Sequence, residues 1–308
     1  MRNAFAKVVT ALAQADSSIV LLSGDIGNRL FDDFKAKCPN RFYNCGVAEA
    51  NMMSMAAGLA SCGLRPIVYT ITPFLTYRCM EQIRDDVCYH NQKVVIVGTG
   101  SGLSYASLGT THHSCEEMGM LRLLPGMTVL APADSFEVEM TLAAALTHDG
   151  PVYIRIGKKG EPLVHSAITP WTIGDTFPMQ HGTDVAILST GTLLQESMHA
   201  ASELSAHGVS ATVLSMPTVK PLNNKLLQDV FSKHRLVVTV EEHSVLGGLG
   251  GSVAEWRCDQ PRNLACLLRI GTPDEFLHSN GEQEHAREIL GLTPAAMAQR
   301  ITARLQAI

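Results

Sequence analysis

Short apolar runs alternate with segments of helical spacing along nearly the whole chain, and this alternation restricts the fold more than any other feature. Runs at residues 18–23, 66–71, 93–98, 127–131 and 151–156 are separated by helical patterns over 48–61, 73–89, 115–123 and 134–147. Two strands that run the same way need a crossover of a dozen or more residues, which a helix supplies. The pattern predicts a mostly parallel sheet covered by helices on both faces. From 157 to 182 it lapses into GKKGEPLVHSAITPWTIGDTFPMQHG, a linker or irregular excursion rich in Pro and Gly. Runs at 184–190, 211–215, 236–240 and 264–270, with helices between them, form a second unit. The expected fold is α/β, with two mostly parallel-sheet domains at 1–165 and 183–308 and a linker at 166–182. A chain of 308 residues is long enough for two ordinary cores.

Charged residues make up 17% of the chain, below the ~25% usual in soluble proteins. No stretch approaches the roughly 18 apolar residues of a membrane span. Extensive buried surface is expected instead, part of it between subunits. A net charge of -5 with scattered basic residues argues against a nucleic-acid partner. The N-terminal Ala-rich stretch mimics a signal-peptidase site, but Lys7 interrupts it, and Phe5, Val8, Val9 and Leu12 keep helical spacing. Eight cysteines without a CxxC read as reduced core thiols of a cytoplasmic protein.

Four stretches invite a functional reading. In NCGVAEANMMSMAAGLA (44–60), Glu49 is the only charged residue, and no Lys, Arg or His lies between Arg41 and Arg65 to pair with it. An acidic residue suits a helix's first turn, but apolar surroundings also fit a carboxyl to share a proton. Glycines at 98, 100 and 102 have the wrong spacing for a dinucleotide fingerprint. Those at 247, 248, 250 and 251 fit a tight turn with close helix packing better than an anion cradle. THHSCEE (111–117) offers His112, His113 and Cys115 without a second cluster for a zinc site; a catalytic loop beyond a strand's carboxyl end is the alternative. TPFLTYRCM (72–80) sets Phe74 and Tyr77 three apart, as core packing or as a stacking platform for a flat heteroaromatic ligand.

Taken in order, GDIGNR…FYNCGVAEANMMSMAAGLASCGLRPIVYTITPFLTYRCMEQI, GTTHHSCEEMGMLRLLPGMTVLAPAD and DGPVYIR resemble the pyrimidine-binding domain of the transketolase family of thiamine diphosphate enzymes. VTVEEHSVLGGLGGSVAE and RIGTPDEFLHSNGEQEH resemble that family's C-terminal domain. The chain is similar to the C-terminal half of a split transketolase. The family's GDG…N motif for the diphosphate and its Mg2+ (or Ca2+) is missing, which implies an N-terminal transketolase subunit as partner in an assembly with two copies of each chain. By resemblance, Glu49 hydrogen-bonds N1′ of the cofactor's aminopyrimidine and favours the imino tautomer that removes the thiazolium C2 proton. Phe74 stacks on the pyrimidine and Tyr77 lines its pocket. His112 stands beside the thiazolium and handles substrate hydroxyls, and His113 is a further candidate substrate contact.

Leu108 stands where the family usually has an Asp that reads a substrate hydroxyl, so an altered or deoxygenated sugar is expected. Lys158 and Arg29 stand at positions that contact the substrate phosphate in the family, as donors of changed geometry. The expected reaction is transfer of a two-carbon ketol unit from a ketose or ketose phosphate to an aldehyde. Its rivals are a decarboxylating transferase subunit, of deoxyxylulose-phosphate synthase or 2-oxoacid dehydrogenase beta type, and a noncatalytic regulatory subunit.

Overall fold

The computed structural model describes residues 1–308 except 28, 159, 167–169 and 279–280, so part of the expected linker lies outside the described residues. Up to the expected linker the order is α1 (Arg2–Ala15), β1 (Ile19–Ser23), α2 (Asp32–Lys37), β2 (Phe42–Asn44), α3 (Glu49–Ser61), β3 (Arg65–Ile71), α4 (Thr72–Thr76), α5 (Met80–Gln82), a π-helix (Ile83–Tyr89), β4 (Val95–Thr99), a 3-10 turn (Ala106–Leu108), α6 (Glu117–Arg122), β5 (Thr128–Leu130), α7 (Ser135–Thr147) and β6 (Val152–Ile156). Then come β7 (Phe177–Gln180), β8 (Val185–Ser189), α8 (Leu194–Ala206), β9 (Ala211–Ser215), β10 (Thr218–Lys220), α9 (Asn224–Lys233), β11 (Leu236–Ser244), α10 (Leu249–Cys258), β12 (Cys266–Thr272), α11 (Gln283–Ile289) and α12 (Pro294–Gln306).

The first sheet has seven strands in the order β10-β5-β6-β4-β3-β1-β2, and the second has five in the order β12-β11-β8-β9-β7. All pairings are parallel except β10 with β5 and β7 with β9. Central strands such as β1, β4 and β8 are buried along their whole length, which is why they read as continuous apolar runs rather than as alternation. One core packs α1 and α7 on the first sheet through Phe5, Val9, Tyr69 and Leu142. The opposite core starts from Met52, Met53 and Leu75 and continues to Phe231 and Val253 of the second unit. The two units thus share one apolar layer.

Several expectations needed correction. The segment 73–89 is not one helix: a turn at residues 77–79 separates α4 from α5, and no Gly or Pro marks it. Strand β7 lies inside the expected linker, as an antiparallel edge strand. Strand β10, from the second unit by sequence, completes the first sheet. Among the described residues no helix is long and apolar enough to cross a membrane.

Candidate active site

Every expected site residue follows the carboxyl end of a strand in the first sheet: Arg29 after β1, Glu49 after β2, Phe74 and Tyr77 after β3, Leu108, His112 and His113 after β4, and Lys158 after β6. Open parallel sheets bind ligands along this edge, because crossover loops converge there and leave a crevice.

Glu49 opens α3 and is only 2% exposed. It is not the lone carboxylate expected from its neighbours in sequence. Arg78 Nη1 donates to Glu49 Oε2 at 2.7 Å from the turn after α4, and the Arg78 side chain is 47% exposed. The same guanidinium lies 4.7 Å from the centroid of the Phe74 ring. Arg78 is 29 residues from Glu49 in the chain, so local spacing could not reveal it. The wall beside Glu49 holds Thr70, whose buried Oγ1 has no partner, and Gly24. A Cβ at Gly24 would stand 3.0 Å from Thr70 Oγ1 and 3.4 Å from Glu49 Cγ. Glycine there keeps the carboxylate unobstructed.

On the Phe74 side, the His112 ring makes an edge contact at 5.2 Å and a second with Tyr105 at 6.0 Å. Lys158 Nζ lies 4.6 Å over the Tyr105 ring. Phe74, His112 and Lys158 are therefore joined in one row of rings and cations, with Tyr105 as a link the sequence reading missed. His112 Nδ1 is 3.0 Å from Thr111 Oγ1. Burial, and secondarily His113, hold the His112 pKa below its ordinary value, which favours the neutral ring that can both give and take a hydrogen bond.

The loop carrying His112 is pinned from two sides. Gly102 and Ser114 exchange backbone hydrogen bonds at 3.1 and 3.0 Å across its base. Leu103 N donates to Glu242 Oε1 at 2.8 Å, and Arg155 Nη2 donates to the carbonyls of Ser114 and Glu242 at 2.7 and 2.8 Å. Glu242 also accepts from Gln283 and Arg287. The second unit thereby positions the loop. Arg155 is itself paired inside the protein with fully buried Glu117 at 2.5 Å. The glycines at 247–251 form the packing turn: Glu241 accepts from Leu249 N and Gly250 N, both at 2.7 Å. These first amides of α10 are thus taken by the protein's own carboxylate.

Other expected residues sit elsewhere. Tyr77 makes no ring contact with Phe74 among the described residues. Its hydroxyl donates to Glu116 Oε2 at 2.5 Å, and it lines a cavity between the units with His113, Cys115 and Phe276. His113 is buried and its Nε2 is 3.1 Å from Ala106 O. Arg29 is exposed and lines a surface cleft with Lys7, Asp32 and Asp33 of α1 and α2. Leu108 is 53% exposed at the end of the 3-10 turn, in the His112 loop.

Carboxylate, ring face and planar partner suit the pyrimidine half of thiamine diphosphate. The Arg78 guanidinium lies against both the carboxylate and the ring. Among the described residues no group of three or more His, Cys, Asp or Glu converges to hold a metal ion.

Residues 1–161 match the family described as transketolase, pyrimidine binding domain, and residues 175–297 match transketolase, C-terminal domain. The chain is 36% identical over 297 residues to the 6-deoxy-6-sulfo-D-fructose transketolase subunit SqwH of Clostridium sp. (strain MSTE9), covering 95% of this chain and 90% of that one. It is 31% identical over 285 residues to a subunit of the apulose-4-phosphate transketolase of Phocaeicola vulgatus, with 92% and 90% covered. A solved structure described as a split gene transketolase, inactive beta4 tetramer, superposes with a TM-score of 0.89 at 34% identity over 99% of this chain and 97% of that one. The chain belongs to the transketolase family, as a transketolase-like subunit with the family's pyrimidine-binding and C-terminal domains.

Proposed function

We propose that this subunit transfers a two-carbon ketol unit from a ketose to an aldehyde, together with a partner that binds the diphosphate and its divalent metal, Mg2+ or Ca2+, through oxygen ligands. The assembly is two copies of each chain, in the cytoplasm. The observation that carries the reading is the convergence of Glu49, Phe74 and His112 at the carboxyl ends of neighbouring strands. When bound, thiamine diphosphate supplies the electron sink for breaking and forming the carbon–carbon bond. Glu49 holds a proton at the pyrimidine N1′, and Phe74 offers a stacking face. His112, favoured neutral by burial, moves a proton to or from a substrate hydroxyl.

The substrate is a ketose with an anionic end. Lys158, steadied over Tyr105, supplies a positive charge at the far end of the row of rings. Leu108 stands where the resemblance expects a hydroxyl-reading carboxylate, which suits a sugar altered at that hydroxyl; the 6-deoxy-6-sulfo sugar named for one relative is an instance of a ketose with an anionic end. The test is turnover by the assembled pair on fructose 6-phosphate, xylulose 5-phosphate, 6-deoxy-6-sulfofructose and pyruvate. Ketose turnover supports the proposal. Turnover of pyruvate alone establishes the decarboxylating rival, and turnover by this chain without a partner refutes the split site.

A further inference from the structure

We propose that Arg78 is a gate on the pyrimidine pocket, its guanidinium holding the place that the aminopyrimidine takes when the cofactor loads. The proposal rests on the thiamine diphosphate reading above. Three observations carry it. The guanidinium makes both recognition contacts of that pocket at once, a 2.7 Å hydrogen bond to Glu49 and a position 4.7 Å from the Phe74 centroid. Two flat groups cannot share one ring face at that distance, so one excludes the other. The pairing is also lopsided: Glu49 is 2% exposed and Arg78 47%. A surface cation thus reaches in to cover a buried carboxylate, and it can return to water at little cost, whereas the carboxylate cannot. Finally, Arg78 stands in the turn between α4 and α5 with its side chain half-exposed, so a change of rotamer can carry it into water.

The gate keeps Glu49 compensated and closes the pocket until the cofactor displaces it. Loading must break a charge-assisted hydrogen bond and a cation–π contact before it gains its own. Removing Arg78 should therefore strengthen cofactor binding, the opposite of what a cofactor-holding arginine would show. Binding of thiamine diphosphate with Mg2+ to the assembled two-subunit protein is measured by calorimetry, and the association rate by stopped-flow fluorescence. Arg78→Met, which keeps the apolar stem, should bind roughly tenfold more tightly and associate faster. Arg78→Lys, which keeps the charge without the planar fork, should fall between. Equal or weaker binding by Arg78→Met, with wild-type binding intact, overturns the gate alone. No uptake by any of the three proteins overturns the cofactor reading and the gate with it.

Discussion

Replacing Glu49 by Gln separates chemistry from stability, because the two effects differ by several kcal/mol. Glu49 begins α3, so losing its charge forfeits a dipole interaction of about 0.3–1 kcal/mol. Its ion pair is with a half-exposed Arg78, and such a pair contributes about 1 kcal/mol or less. Against these losses, a carboxylate no longer has to be kept from water beside Thr70 and Gly24. Gln preserves the volume, so unfolding stability should change by no more than about 1 kcal/mol. If Glu49 handles the N1′ proton, however, turnover at saturating cofactor should fall by roughly 10²–10⁴, a barrier rise of about 3–5 kcal/mol. Urea unfolding of the variant and steady-state ketol transfer by the assembled enzyme measure the two terms. Activity within about threefold of wild type would remove Glu49 from the mechanism. Parallel losses of stability and turnover would make its role structural.

Three other outcomes are expected. Because burial and His113 keep the His112 pKa low, the acid limb of the rate profile assigned to it should lie below about pH 6.5. His112→Ala should abolish that limb and lower turnover more than cofactor affinity. Glu242→Ala strips acceptors from Leu103 N, Gln283 and Arg287, so the urea midpoint should drop by the equivalent of about 3–5 kcal/mol; a loss under about 1 kcal/mol would deny it the anchoring role. Burial pushes Glu137 up to about 7, above its unfolded value of about 4.3. A raised carboxyl stabilises fully below that unfolded pKa and loses the contribution as pH climbs through about 7. Stability should thus fall between about pH 4 and 7, and Glu137→Gln should flatten part of the slope; an unchanged slope refutes the assignment.

The central strands were legible because a strand buried on both faces has to be apolar throughout, as in IVLLS of β1 or VAILS of β8. Short edge strands carry no such signature. Strand β2 has three residues, none of them buried, and β7 pairs on one side only. Charge also misled. Strand β11 runs through Glu241, Glu242 and His243, all buried, and a sequence reading ends it at Val240 because these residues look solvated. Arg287 and the loop at Leu103, the partners of Glu242, come from distant parts of the chain. The same limit hid Arg78 from Glu49. Residue types at strand ends were readable one by one; their pairing was not, since it depends on which strands become neighbours in the sheet.

The antiparallel strand β10 has a consequence for how the protein can be made. Residues Thr218–Lys220 close the first sheet on β5, although they are synthesised well after β6. Until they emerge from the ribosome, β5 is an unpaired sheet edge, a template for pairing with another nascent chain. A fragment ending at residue 165 would keep that edge permanently and should be prone to self-association, whereas one extended past residue 220 would carry the missing strand. The seam between the two units is therefore a poor place to cut the chain, however plainly the sequence marks it.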